Sequence, residues 1–422
     1  MSMTSMPSLN HTLAVVGAGA AGLMAAATAL AEGMRVTLFE ANDRPGRKLA
    51  ITGKGRCNLT NNCSVQEFLQ NVTRNHRFLN SAAARFSPAD TMAFFEELGV
   101  PLKTERGNRV FPVSDRAQDI VDALASAVRD AAHVRGRVES IRPLEGGGFS
   151  LLAGGREYTA GQVILATGGL SYPRTGSDGS GHTIAKALGH TITPILPSLI
   201  PLTSPDTACM RMQGLSLKNV ALTIKDETGR TVYTDFGEML FTHFGLSGPM
   251  VLSGSAHLGK PSLAGYTAII DLKPALDEPT LDARLLSELS AGANRDLSNI
   301  LATLLPSSMI EVALDVIGID GHRKGNSIKK EERRRILTFL KGFRITISGR
   351  RPIAEAIVTS GGVDVREVDP KTMQSRLVPG LYFAGEILDV DAYTGGFNLQ
   401  IAFSTARLAA KAAAASGKDV HL

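Results

Sequence analysis

The stretch that most constrains this chain runs from Leu13 to Glu40 and reads LAVVGAGAAGLMAAATALAEGMRVTLFE. Leu13 to Val16 is an apolar run too short for a helix and bounded by glycine, so it reads as a buried parallel strand. Gly17 allows the tight turn that follows. Gly19 lets the backbone approach a pyrophosphate, and Gly22 lets an alanine-rich helix pack close to the sheet, with phosphate resting on the helix N-terminus. Val36 to Phe39 is a second strand. Glu40, 18 residues beyond Gly22, stands where a carboxylate accepts hydrogen bonds from ribose hydroxyls and repels a 2′-phosphate. A glycine-rich turn in an ordinary α/β unit is the simpler alternative, but strand, turn, helix, strand and acid in this order predict dinucleotide binding.

A chain of 422 residues exceeds one simple core, so two or three domains are expected. With 43% hydrophobic and 20% charged residues it has the composition of a globular protein, not a disordered one. Residues 1 to 11 lack a basic region followed by an apolar one, so no signal peptide is expected. The apolar helix after Gly22 is too short to span a membrane, and a cytoplasmic protein follows. Cys57, Cys63 and Cys209 fit neither a zinc site nor a disulfide framework and read as free thiols, with no metal expected. Nothing in the sequence fixes an oligomeric state.

The net charge of +5 is unevenly placed. Between His322 and Arg351 stand eleven Lys or Arg against two acids, Glu331 and Glu332, so that segment is +9 and the remainder −4. Such a patch is either the footprint of a polyanion partner or a solvated helix face. Lys329, Lys330, Arg333, Arg334, Arg335, Arg350 and Arg351 are the candidate phosphate contacts.

After Glu40, the cations Arg44, Arg47, Lys48, Lys54 and Arg56 alternate with Gly46, Gly53 and Gly55, which predicts a loop built to meet an anion. An amphipathic helix begins at Ser87-Pro88, a turn at Phe111 to Ser114 leads into another helix, and His133 to Ile141 reads as one strand. Val163 to Ala166 runs into a second glycine turn, Thr167-Gly168-Gly169, without being a second fingerprint. One resident dinucleotide is therefore expected, with any nicotinamide donor docking transiently. Residues 215 to 272 alternate as antiparallel strands around FTHFGLSGPMVLSGS, and 279 to 341 have helical periods. Gly380 to Ala384 is a further strand, and Gly395-Gly396 precedes an alanine-rich helix whose N-terminus suits an anionic flavin edge. The expected division is a discontinuous cofactor domain over 1–193 and 350–422, a β-rich domain over 194–278 and 342–349, and a helical insertion over 279–341.

VVGAGAAGLMAA, GRKLAITGKGRCNLTN, ATGGLSYPRTGSDGSG, THFGLSGP, AIVTSGGV and GLYFAGEILDVDAYTGGFNLQIAFSTA together resemble the HI0933-like flavoproteins from about residue 12 to 411. The resemblance implies an α/β fold of the glutathione reductase and fumarate reductase flavoprotein type: a discontinuous Rossmann-like FAD domain, a mostly antiparallel β domain and a small all-helical insertion. It also implies FAD, with NAD(P)H as transient donor. Members resemble ribosomal RNA dihydrouridine synthases, enone or bile-acid reductases, or aminoacetone oxidases. Carried onto this chain, it places Gly17, Gly19, Ala20, Ala21 and Gly22 at the pyrophosphate, Glu40 at the ribose, and Arg47 and Lys48 near ribose and phosphates. Gly53, Gly55, Cys57 and Asn58 would line the path to the flavin, Val138 would meet adenine, and Thr167 and Gly168 would cover the phosphates. Gly385, Glu386, Gly396, Asn398 and Leu399 would meet the ribityl chain and the pyrimidine edge.

The chemistry expected is hydride transfer to a polarised C=C bond with protonation of the neighbouring carbon. Cys57, beside Arg56, and His243 are the candidate proton donors; each has a plain alternative, a small side chain filling a turn and a histidine satisfied between strands. Tyr172, Arg174 and Tyr393 are candidates to position substrate. Three readings remain: reduction of a large-subunit ribosomal RNA uridine to dihydrouridine, a small-molecule reductase or oxidase, and a non-catalytic flavin-bound RNA-binding protein. The uneven charge favours the first.

Overall fold

A computed structural model describes residues 11–418. The first ten residues, on which the expectation of no signal peptide rests, lie outside the described residues, as do 419–422. Two compact units form, one from the chain up to Ser198 and from Ile353 onward, the other from Leu199–Pro352.

In the first unit five parallel strands lie in the order Leu381–Phe383, Gln162–Leu165, Thr12–Val16, Arg35–Glu40, Ala132–Arg135. Thr12–Val16 is central, and Leu13 to Val16 are all buried, which explains an apolar run without alternation. The helix Ala20–Ala31 buries every residue from Ala21 to Thr28 and packs against the C-terminal helix Phe397–Lys418. Small side chains on both permit that approach. The strand Leu381–Phe383 pairs with Val163 to Leu165, so the two ends of the chain share one sheet. This is the α/β, discontinuous Rossmann-like arrangement that the sequence predicts.

Two local expectations are corrected. The cationic stretch after Glu40 is not a loop throughout: Arg47–Gly55 is helical, broken by extended Thr52 and left-handed Gly53 and Lys54. His133 to Ile141 is two strands, Ala132–Arg135 in the parallel sheet and Val138–Pro143 in a separate three-stranded antiparallel sheet. The chain leaves the first sheet at Gly136, whose N–H donates to the Glu40 carbonyl at 2.8 Å.

The second unit holds a seven-stranded sheet with antiparallel neighbours, built on Ser216–Lys225, Thr231–Thr242 and Tyr266–Asp271. Tyr266–Asp271 and Phe343–Ile347 alternate between buried and less buried residues, as a sheet covered on one face requires. Leu281, Leu285 and Leu289 of the helix Glu278–Ala291, and Ile336, Phe339 and Leu340 of Lys330–Gly342, join the core of that sheet. The stretch FTHFGLSGPMVLSGS becomes a hairpin strand, Gly245–Ser247, and a helix, Pro249–Ser255.

A Cβ on Gly22 would lie 1.7 Å from the Gly17 carbonyl oxygen. Gly22→Ala should therefore destabilise the fold by about 3 kcal/mol, read as a lower denaturant midpoint. An unchanged midpoint would show that helix and turn are not held at this distance.

Candidate active site

The first glycine turn is fixed by its own backbone. Gly17 has φ +100 and donates its N–H to the Phe39 carbonyl at 2.9 Å. Gly19 caps the first helix without a side-chain hydrogen bond, and the ladder starts with Leu23 N–H to the Gly19 carbonyl. The N–H groups of Ala20, Ala21 and Gly22 thus stand outside the helical ladder, at the positive end of the helix dipole. A Cβ on Gly19 would meet nothing within 4 Å. Glu40 is oriented by the same turn: its Oε2 accepts from Ala18 N–H at 2.9 Å and its Oε1 from Asn42 N–H at 2.7 Å. Arg47 donates to Asn42 Oδ1 at 2.9 Å.

The second glycine turn follows the neighbouring strand. Gly168 has φ +74, and Thr167 Oγ1 is buried without a hydrogen-bond partner. Asn58 Oδ1 is likewise buried and unpartnered. The third turn follows Leu381–Phe383: Gly385, at φ +77, donates to Thr405 Oγ1 at 3.0 Å. Glu386 is then drawn into a polar network. Its Oε2 takes Lys48 Nζ at 2.6 Å; its Oε1 takes Ser171 Oγ and Thr359 N–H, each at 2.8 Å. Burial pushes Glu386 up, but the Lys48 ammonium and these donors outweigh it and hold the carboxyl below the usual range.

At the start of the C-terminal helix, Gly396 lies against Thr60, whose carbonyl oxygen a Cβ would approach to 2.3 Å. Asn398 accepts from Ala392 N–H at 3.0 Å and donates to the carbonyls of Ala392 at 2.7 Å and Tyr393 at 3.2 Å. Leu399 is half-buried beside it. Val138 is buried at the head of its antiparallel strand, in register with Ala153. The glycine turns, Glu40, Lys48, Asn58 and Asn398 therefore all belong to one unit.

The proposed proton donors fare differently. Cys57 sits in the core with no exposed surface at φ +58, and burial pushes its thiol up to about 12. That burial favours the plain alternative for Cys57, a small side chain filling a turn, because a thiol so reluctant to lose its proton is a weak acid. His243 is exposed in the second unit, in the turn before Gly245–Ser247, with its ring 5.0 Å from that of Phe244.

The basic segment is partly consumed by the fold. Arg323 pairs with Glu332, Lys324 with Asp296 at 2.7 Å, Arg333 with Asp282 at 2.8 Å and Lys341 with Asp271 at 2.6 Å. Arg335 donates to the Ile317 carbonyl at 2.7 Å. Arg350 is a correction: it donates to the carbonyls of Leu258, Lys260 and Pro261 after the helix Pro249–Ser255, as an internal cap. Arg351 lies over the Phe244 ring at 4.6 Å. Lys329, Lys330 and Arg334 are exposed and hold no ion pair among the described residues.

Sequence reasoning missed Thr359 and Ser171, which sit in motifs read only as glycine turns. Among the described residues, no helix is long and apolar enough to cross a membrane, and no group of three or more His, Cys, Asp or Glu could hold a metal ion.

The chain matches the HI0933-like protein Rossmann domain family over residues 11–412 and belongs to that family. It is 32% identical over 414 residues to a 3-dehydro-bile acid delta(4,6)-reductase of Clostridium scindens, covering 96% of this chain and 99% of the relative. It is 34% identical over 395 residues to a ribosomal RNA dihydrouridine synthase of Escherichia coli, covering 93% and 95%. Its fold is similar to that of 3-ketosteroid-delta4-(5alpha)-dehydrogenase from Rhodococcus jostii RHA1, with a TM-score of 0.51 at 15% identity over 98% of this chain and 99% of the other. The chain is an FAD-dependent oxidoreductase. The non-catalytic reading is thereby set aside.

The residues present fit that cofactor: an open backbone approach at Gly19, free N–H groups behind it, and unpartnered buried oxygens on Thr167 and Asn58. Gly19→Ala should cost the fold about 1 kcal/mol or less, because the added methyl is unopposed. The same variant should retain less FAD, read from flavin absorbance after dialysis; full retention would move the pyrophosphate away from this turn.

Proposed function

We propose that this HI0933-like protein uses NAD(P)H to reduce a C=C bond conjugated to a carbonyl, and that its acceptor is a uridine of large-subunit ribosomal RNA. The observation that carries the cofactor half of this reading is the approach of Gly385 to Ala21, where a Cβ would lie 2.8 Å from that of Ala21, which sets the third turn against the uncapped helix N-terminus after Gly19; the names of the relatives support the reductase half. When bound, FAD supplies the hydride that reaches the carbon β to the carbonyl. Ala20, Ala21 and Gly22 would hold the pyrophosphate through their N–H groups, and Glu40 the adenosine ribose. Lys48 and Glu386 keep the second glycine turn in place through Ser171 and Thr359.

The names of the two relatives share one chemistry, because dihydrouridine and a reduced delta(4,6) bile acid both arise by saturating a carbonyl-conjugated double bond. For uridine, C6 receives the hydride and C5 the proton. The RNA reading is supported by Lys329, Lys330 and Arg334, which are exposed and form no ion pair among the described residues. A steroid-type enone is the second reading, favoured by the bile-acid reductase relative.

Ribosomal RNA from cells lacking the gene should show one uridine lighter by about two mass units than in wild type, the mass of the added hydrogens. An unchanged rRNA profile together with reoxidation of the reduced enzyme by a 3-oxo-Δ4,6 steroid would replace the acceptor. Charge reversal at Lys330 and Arg334 should weaken rRNA binding and flatten its salt dependence. Reversal at Arg333 should instead lower stability, because it leaves Asp282 unpaired.

A further inference from the structure

Around the hairpin of the strands Leu102–Glu105 and Arg109–Pro112, the fold pairs some cations and leaves others bare. Glu105 and Asp115 are both taken. Arg56 holds Glu105 and reaches Asp115 from Nε at 2.8 Å, while Lys103 Nζ lies 2.7 Å from Asp115 and 3.7 Å from Glu105. Arg106 and Arg109, at the hairpin tip, are exposed and form no ion pair among the described residues. The two acids nearest them in the chain are therefore already engaged, and the tip keeps its charge.

Arg109 is also held in place. Its Nε donates to the Arg106 carbonyl at 3.1 Å, and its guanidinium lies 5.8 Å from the centre of the Phe111 ring, over which Arg56 stands at 4.2 Å. Its two terminal nitrogens have no hydrogen-bond partner among the described residues, so the forked end that grips an oxyanion is left open.

Two separate contacts set this tip beside the elements expected at the flavin. Asn61, 5% exposed, gives its side-chain amide to two carbonyls: that of Gly107 in the tip at 3.0 Å and that of Gly395, two residues before the C-terminal helix, at 3.1 Å. Asn62 N–H adds a bond to the Asn108 carbonyl at 2.7 Å. Left-handed backbone at Gly107 and Asn108, with φ +76 and +57, makes the tight tip that is docked in this way. Independently, a Cβ on Gly53 would lie 3.5 Å from the Phe111 ring, so the ring that carries both arginines packs on the glycine segment expected along the path to the flavin.

We propose that Arg106 and Arg109 clamp a phosphate of the reactant that docks on the flavin. The inference rests on the proposed reductase reading, which brings two phosphate-bearing reactants to that place in turn: a nicotinamide dinucleotide through its pyrophosphate and an RNA acceptor through its backbone. Both offer the same chemistry, a phosphate oxyanion tethered to the ring that reacts, and a guanidinium fork meets it with two parallel hydrogen bonds. The pyrophosphate of FAD itself is assigned to the turn at Gly17–Gly22, which leaves these arginines for an incoming one.

The test titrates the holoenzyme with probes that leave the flavin oxidised: a fluorescein-labelled oligouridine, and NAD+ or NADP+. Arg106→Ala and Arg109→Ala should each weaken at least one probe about tenfold. Where the oligouridine is affected, the slope of log affinity against log salt should also fall by about one per arginine. Arg109→Lys should recover only part of the loss, because an ammonium keeps the charge without the fork. Lys411→Glu is the control; this exposed residue lies 14 positions past the first residue of the C-terminal helix, about 21 Å along its axis, and should change neither affinity.

A loss confined to the dinucleotides assigns the clamp to the donor, and a loss with the oligouridine assigns it to the acceptor. The clamp is overturned if either alanine variant binds both probes as wild type does, if Lys411→Glu weakens them equally, or if wild type binds neither. FAD content and melting midpoint are measured on every variant, and weakening that only follows lost FAD also counts against it. The reductase reading is tested apart, on wild type alone. A flavin that NADH and NADPH leave oxidised, or that neither an rRNA fragment nor a 3-oxo-Δ4,6 steroid reoxidises, overturns that reading whatever the arginines bind.

Discussion

The approach of Gly22 to the Gly17 carbonyl is the contact on which the first unit depends. Nothing larger than hydrogen fits there, so the helix lies directly against the turn that feeds it and its N-terminus stays at the carboxyl end of the sheet. A parallel sheet puts all its carboxyl ends on one side. The turns after Gln162–Leu165 and Leu381–Phe383 therefore emerge beside the first, and each uses a left-handed glycine, Gly168 and Gly385. The third repeats the same constraint, since a Cβ on Gly385 would lie 2.8 Å from that of Ala21. One close approach thus sets the spacing that the later turns inherit.

What then fixes these turns is polar. Lys48 from the interrupted helix, Ser171 after the second turn, Thr359 from the strand Val358–Ser360 and Glu386 after the third meet in one network. A buried ion pair is a weak source of net stability, because desolvation offsets most of the attraction. Its value here is exclusivity: both carboxylate oxygens are occupied, and losing one partner strands a charge. The family resemblance assigns Glu386 to the ribityl chain; in this structure its protein partners already engage both oxygens, so its clearest role is to hold the second turn.

The parallel unit was legible because its signals are local and redundant. Leu13 to Glu40 carries strand, turn, helix and acid in under thirty residues, and Gly395-Gly396 marks the second helix start without reference to anything distant. Where reading failed, the deciding contact was remote. Arg47 to Gly55 looked like a loop because its glycines are frequent, yet the helical ladder holds until Thr52. The split at Gly136 depends on a hydrogen bond to Glu40, 96 residues earlier. Asp391 looked like one acid among many until Ser198, 193 residues away in sequence, supplied its partner.

The basic segment shows the same limit in electrostatic form. A window counts only the charges inside it, and Asp296, Asp282 and Asp271 all lie outside His322–Arg351 while neutralising Lys324, Arg333 and Lys341 within it. Much of the formal excess is therefore structural charge, spent on tying the helix Lys330–Gly342 to its neighbours. Lys330 and Arg334 survive the correction: four residues apart, they share one exposed helix face, with Lys329 just before it. Three exposed cations within six residues are a small footprint, so under the proposed RNA reading they would orient a folded RNA and leave most of the binding to its shape.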